Sequence, residues 1–126
     1  MLKIYIADDS EEVRQRLVDL VSGLPEVRLV GQTGDAHAAI ADIQRLQPDV
    51  AILDIRLVNG NGIEVLEIVK LLKSPPLAIM LTAFPNLQYR RRCMSAGADY
   101  FFDKTSEFDR IVDVLRSVIK PGVASQ

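Results

Sequence analysis

Asp8, Asp9, Asp54, Thr82 and Lys104 are the residues of this chain whose types and spacing could do chemistry together. Asp8-Asp9 follows the apolar run Leu2 to Ala7, and Asp54 follows Val50 to Leu53. Thr82 closes Leu77 to Leu81, and Asp103-Lys104 follows Tyr100 to Phe102. Each therefore sits at the end of a short apolar run. Carboxylates about 4 Å apart repel by about 4 kcal/mol per pair at an effective dielectric near 20. Such a cluster persists only with a bound cation or a shared proton. Hard oxygen donors with no His or Cys nearby favour Mg²⁺, or Mn²⁺ in its place, over zinc. An aspartate beside that cation is a nucleophile toward phosphorus and forms an acyl phosphate. Lys104 would pair with the transferred group and Thr82 would donate a hydrogen bond to it. Positioning and charge neutralisation are most of what phosphoryl transfer needs. The competing explanation is that each Asp simply caps the next helix. Ser10 is available for that task after the first run, which makes two adjacent aspartates redundant as caps.

These residues converge only if the runs are neighbouring strands. The pattern is consistent with that. Apolar runs at Leu2 to Ala7, Val27 to Val30, Val50 to Leu53, Leu77 to Leu81 and Tyr100 to Phe102 alternate with stretches of helical periodicity. Those stretches follow Ser10, follow Asp35, run from Ile63 to Leu72, run from Phe84-Pro85 to Ala96-Gly97, and contain Ile111, Val112, Leu115 and Ile119. Asn59-Gly60-Asn61-Gly62 reads as a turn and lacks the Lys-Ser/Thr of a phosphate loop. Continuous apolar strands, each followed by a helix, predict a parallel sheet covered on both faces. With right-handed crossovers this is a doubly wound α/β fold of five strands and five helices. Ligands of such sheets bind beyond the carboxyl ends of the strands, where strand order reverses.

Composition bounds the function. The 126 residues suffice for one domain. The net charge of −2 gives no global reason to expect nucleic acid or an anionic membrane. One cysteine excludes a disulfide framework, and no apolar run approaches the roughly 18 residues of a membrane span. The start has no signal-peptide pattern. His37 reads as a surface helix residue, Cys93 as helix packing, and Arg90-Arg91-Arg92 as a solvated face.

Taken together, Asp8-Asp9, Asp54, Gly62, Thr82-Ala83, Ala96-Gly97-Ala98 and Lys104 resemble the motifs of response-regulator receiver domains of two-component signalling. The resemblance covers about residues 1–120 and leaves 121–126, opening with Pro121-Gly122, as a flexible tail or the start of a linker. It implies a flavodoxin-like sheet of order 2-1-3-4-5. It implies that Asp54 takes a phosphoryl group from the phosphohistidine of a histidine kinase or phosphotransfer protein. Asp9, Asp54 and the Arg56 carbonyl would hold Mg²⁺ directly, with Asp8 acting through water. Thr82 and Phe101 would form the switch, and Lys104 would contact the phosphoryl group and matter less to folding. The implied location is cytoplasmic and the implied role is that of a phosphoacceptor, not a turnover enzyme. The output partner, or a second copy, would bind the face of the fourth helix, fifth strand and fifth helix, which carries Tyr89, the arginines, Tyr100 and Phe108. Neither membrane nor nucleic acid would be a direct partner. Val58 stands where most members have Pro, which predicts a looser loop after the acceptor. Thr105 replaces a common Pro, which predicts a trans bond. Arg56 and Phe84 occupy positions that vary in the family, near the site. Three alternatives compete: an Mg²⁺-dependent aspartate-nucleophile phosphatase, which would place Asp-x-Asp on the first strand, a flavin- or nucleotide-binding module, which would want a Gly- or Ser/Thr-rich first loop, and a degenerate receiver that only binds protein.

Overall fold

The computed structural model describes residues 1–124. In chain order the elements are β1 (Leu2–Ala7), α1 (Glu11–Ser22), β2 (Val27–Thr33), α2 (Ala36–Leu46), β3 (Val50–Asp54), β4 (Arg56–Leu57), β5 (Gly60–Asn61), α3 (Gly62–Val69), β6 (Leu77–Thr82), α4 (Leu87–Ser95), β7 (Tyr100–Asp103) and α5 (Arg110–Ala124). The main sheet has the order β2-β1-β3-β6-β7, parallel throughout. This is the 2-1-3-4-5 order expected, with the five helices expected.

The strands read as unbroken apolar runs because both faces are covered. Successive side chains point to opposite faces. Tyr5, Ala7, Ala51, Leu53, Ala78, Met80 and Phe101 enter one core layer with residues of α2, α3 and α4. Ile4, Ile6, Val50, Ile52, Ile79, Leu81 and Phe102 enter the other, against Leu17 and Val21 of α1 and Ile111, Val114 and Leu115 of α5. Fully burying such an aliphatic side chain contributes roughly 1.5–3 kcal/mol, so the two layers hold the strand ends in fixed register.

Several boundaries differ from the sequence expectation. The 59–62 stretch forms more than a turn: β4 and β5 pair antiparallel around Val58-Asn59. Asn59 takes a φ of +62, a left-handed conformation that Asn tolerates. α3 stops at Val69, since Leu71 and Leu72 make only tighter bonds to Ile68 and Val69. α4 starts after Asn86, whose Oδ1 accepts from Tyr89 N–H at 2.8 Å. Pro85 disfavours a helical conformation at Phe84 and delays that start. α5 continues past Pro121-Gly122, where an end was expected. Of the expected tail, 125–126 lie outside the described residues.

Candidate functional site

All the candidate residues lie at the carboxyl edge of the sheet, across the point where strand order reverses between β1 and β3. Asp8 and Asp9 leave β1, Asp54 ends β3, Thr82 ends β6, and Lys104 follows β7. Thr82 is in register with Asp103, and the Lys104 N–H donates to the Thr82 carbonyl at 2.9 Å. The Lys104–Thr105 bond is trans, as expected.

Asp8 is 1% exposed, Asp54 3% and Thr82 2%, whereas Asp9 is exposed. Each of the three carboxylates offers an oxygen within 4.8 Å of the others. The Lys104 ammonium lies between two of them. Its Nζ donates to Asp54 Oδ2 at 2.9 Å and stands 2.6 Å from Asp8 Oδ2. The second contact is an ion pair without hydrogen-bond alignment, so Asp8 Oδ2 is buried with no hydrogen-bond donor. Burial, then the Asp8 charge, pushes the Asp54 carboxyl up to about 7, although Lys104 and the Arg56 N–H pull the other way. Burial works against the Lys104 charge, but the two carboxylates outweigh it and hold the ammonium above its usual value.

This donor set fits a hard divalent cation. It consists of carboxylate oxygens, one of them buried without a hydrogen-bond donor, and one ammonium cannot neutralise three carboxylates. Among the described residues no His or Cys joins the cluster.

Local sequence explains how the loops are held. Asp8 Oδ1 accepts from Ser10 N–H at 2.9 Å, and Ser10 Oγ accepts from Val13 N–H at 3.2 Å. Ser10 is thus the α1 cap and leaves Asp9 free of that role, as the sequence suggested. Gly62 allows α3 to start directly behind the acceptor. A Cβ there would overlap the Asp54 carbonyl oxygen, and the Gly62 N–H donates to Ile55 O at 2.8 Å. Thr82 Oγ1 accepts from Phe84 N–H at 3.1 Å. Arg56 stacks its guanidinium 4.3 Å above the Phe84 ring, so the loops after β3 and β6 touch across the mouth of the site. Beside them lies a cavity of about 440 Å³ lined in part by Asp9, Arg56, Asn61, Tyr89 and Arg92.

Two expectations need correction. The loop after Asp54 is not loosened by Val58. The Val58 N–H donates to Gly34 O at 2.9 Å, a bond proline could not make, and Asn59 Nδ2 donates to Asp35. Lys104 is in addition the counter-ion of two buried carboxylates. Phe108 does not face α4; it lies in the α1/α5 core layer under the Arg16 guanidinium, 4.4 Å from its ring. The other readings of single residues hold. His37 and Arg90-Arg91-Arg92 are exposed, and Cys93 is fully buried. Phe101 is buried in the α2/α3/α4 layer, 5.8 Å from the Arg90 guanidinium.

Sequence reasoning missed Arg14. Its Nη1 donates to the Asp8 carbonyl at 2.6 Å. Arg14 stands six residues after Asp8, in the first turn of α1, and no residue pattern marks it.

The family model described as the response regulator receiver domain matches residues 4–116. The DNA-binding transcriptional activator DevR/DosR of Mycobacterium tuberculosis is 38% identical over 105 residues, covering 82% of this chain and 48% of that protein. The sensory transduction protein LytT of Bacillus cereus is 31% identical over 120 residues, covering 95% of this chain and 48% of its own length. The chain thus spans about half the length of these curated relatives. Among solved structures, the signal receiver domain of the putative response regulator NarL from M. tuberculosis superposes with a TM-score of 0.86 at 27% identity, over 94% of this chain and 96% of that one. The response regulator domain of Thermotoga maritima CheB gives 0.82 at 26% identity, over 96% and 95%.

Proposed function

The chain belongs to the response regulator receiver family, and from that membership we propose that Asp54 accepts a phosphoryl group from the phosphohistidine of a histidine kinase or phosphotransfer protein. The observation that carries this is the setting of Asp54. It is a buried carboxylate at the strand-order reversal, 2.9 Å from an ammonium and within 4.8 Å of two further carboxylates.

An Asp54 carboxylate oxygen attacks phosphorus. The bond from phosphorus to the donor imidazole nitrogen breaks, that nitrogen keeps the electron pair, and an aspartyl phosphate forms. Asp8, Asp9, Asp54 and the Arg56 carbonyl would hold Mg²⁺ or Mn²⁺. When bound, the ion supplies charge neutralisation for the phosphoryl oxygens. Lys104, already at the acceptor oxygen, supplies one positive charge to the new group. The Thr82 hydroxyl now accepts from the Phe84 N–H. It keeps its own proton free to donate to a phosphoryl oxygen. Turning Thr82 inward leaves space beside β6, and Phe101, with no hydroxyl to satisfy, adjusts into it. The output partner or a second copy would then read the surface of α4, β7 and α5, where Tyr89, Arg90 and Tyr100 lie. The domain acts as a phosphoacceptor that promotes its own phosphorylation and dephosphorylation. A reducing cytoplasm suits its free thiol at Cys93. Among the described residues no helix is long and apolar enough to cross a membrane.

Incubation with acetyl phosphate and Mg²⁺, followed by intact mass measurement, tests the assignment. The mass should rise by one phosphoryl unit, and Asp54→Asn should remove the gain. Full labelling of that variant would overturn it.

A further inference from the structure

The half-buried Arg14 has no part in the chemistry above, yet it touches the loop that carries two of the carboxylates. Its Nη1 donates to the Asp8 carbonyl at 2.6 Å. The same nitrogen lies against Gly34, where an added Cβ would come within 2.9 Å of it and 3.3 Å of the Asp8 oxygen. Gly34 is in turn tied to the loop after the acceptor. Its carbonyl accepts from the Val58 N–H at 2.9 Å, and the Val58 carbonyl accepts from the Ala36 N–H at 2.9 Å. The Asp8 N–H donates to Thr33 O at 3.0 Å. A continuous brace therefore runs from Arg14 through Asp8 and Gly34 to Val58. It joins the loop that bears Asp8 and Asp9 to the loop that bears Asp54 and Arg56.

Charge alone gives no reason for this arrangement. A guanidinium beside an acidic pocket repels an incoming cation. The short hydrogen bond of Arg14 goes to a main-chain carbonyl, and that fixes backbone position. Resting on the reading of the acidic cluster as a divalent-cation site, we infer that Arg14 is a positioning residue: it clamps the Asp8-Asp9 turn over Gly34 and so sets the span of that site. Gly34 is the other half of the device, because a side chain there would push the guanidinium off the Asp8 carbonyl. Removing groups that orient metal ligands from outside the coordination shell lowers affinity about 10–100-fold.

The two explanations of Arg14 differ in sign. Positioning predicts weaker cation binding when Arg14 is lost, whereas pure charge predicts tighter binding. Titration calorimetry with Mg²⁺ and with Mn²⁺ on the whole chain separates them. Arg14→Met and Gly34→Ala should each lose about tenfold or more in affinity. Arg16→Met, which removes the same charge from the same helix, should stay within about twofold of wild type. In acetyl phosphate labelling, Arg14→Met should raise the half-saturating Mg²⁺ concentration about tenfold, with the maximal rate at saturating Mg²⁺ within about twofold. Melting in EDTA checks that each variant is folded, and Gly34→Ala decides if Arg14→Met is not. Binding as tight as or tighter than wild type in the folded variants overturns the inference, and so does an equal loss in Arg16→Met. If wild type itself binds neither ion, the cation-site reading fails first and takes the inference with it.

Discussion

Asp54→Asn should make the metal-free protein more stable at alkaline pH and change it little at acid pH. Asp54 is buried beside Asp8, and its carboxyl is raised from 3.8 to about 7. Between those values the folded state holds a proton that the unfolded chain has released. Stability that this group supplies below about pH 4 is therefore lost as pH rises toward 7, and stays lost above it. The full shift corresponds to roughly 4 kcal/mol at about 1.36 kcal/mol per unit. That is an upper bound for the variant, because the amide also gives up most of the Lys104 attraction. At an effective dielectric near 20, the Asp8 repulsion within 4.8 Å is about 3.5 kcal/mol or more and the Lys104 attraction at 2.9 Å about 6 kcal/mol. Desolvation tips the sum against the charge. The neutral amide of the variant relieves the repulsion and the desolvation, and Lys104 keeps its contact with Asp8. A net gain of about 2 kcal/mol is expected at pH 8, on the order of 5–10 °C in melting temperature for a domain of this size. Calorimetric melts of both proteins in EDTA at pH 5 and pH 8 measure it. Adding Mg²⁺ should narrow the gap, because a cation that binds only the folded wild type stabilises it by mass action. Asp54→Asn melting at or below wild type at pH 8, or an equal gap at pH 5, refutes the reasoning.

Lys104→Ala leaves two buried carboxylates without their cation, so it should cost about 3 kcal/mol in EDTA by urea unfolding, much of it restored by Mg²⁺; an unchanged midpoint would return Lys104 to a purely signalling role. Gly62→Ala forces a methyl group into the Asp54 carbonyl and should destabilise by roughly 3 kcal/mol or more, read from the same urea curves. Amide exchange with and without a beryllofluoride mimic on Asp54 should change most between Thr82 and Lys104, and changes confined to α2 and α3 would discard the proposed output face.

The alternation of apolar runs and helical periods was enough to read the architecture. Strands buried on both faces lose the polar alternation that would mark an exposed sheet, and Val50 to Leu53 or Leu77 to Leu81 carry that signature without any structure. The caps at Ser10 and Asp35 were legible because side-chain capping is local. The acidic set was legible because a parallel doubly wound sheet brings all strand ends to one edge. Residue type and position relative to the strand then define the site without distances. Other features depended on partners distant in sequence. The β4–β5 hairpin docks on the turn before α2 through Val58 and Gly34, and the substitution of Val for Pro gave no hint of that bond. The side of α5 toward which Phe108 turns was settled by packing against α1. Arg14 carries no motif, and it meets Gly34 only because β1 and β2 are neighbours. Which groups meet at the sheet edge is thus written in the chain, since strand ends follow from local pattern and strand order follows from the family resemblance. How far each group is desolvated, and which oxygen each cation touches, emerges on folding, because burial and ion pairing depend on the summed packing of loops far apart in the chain.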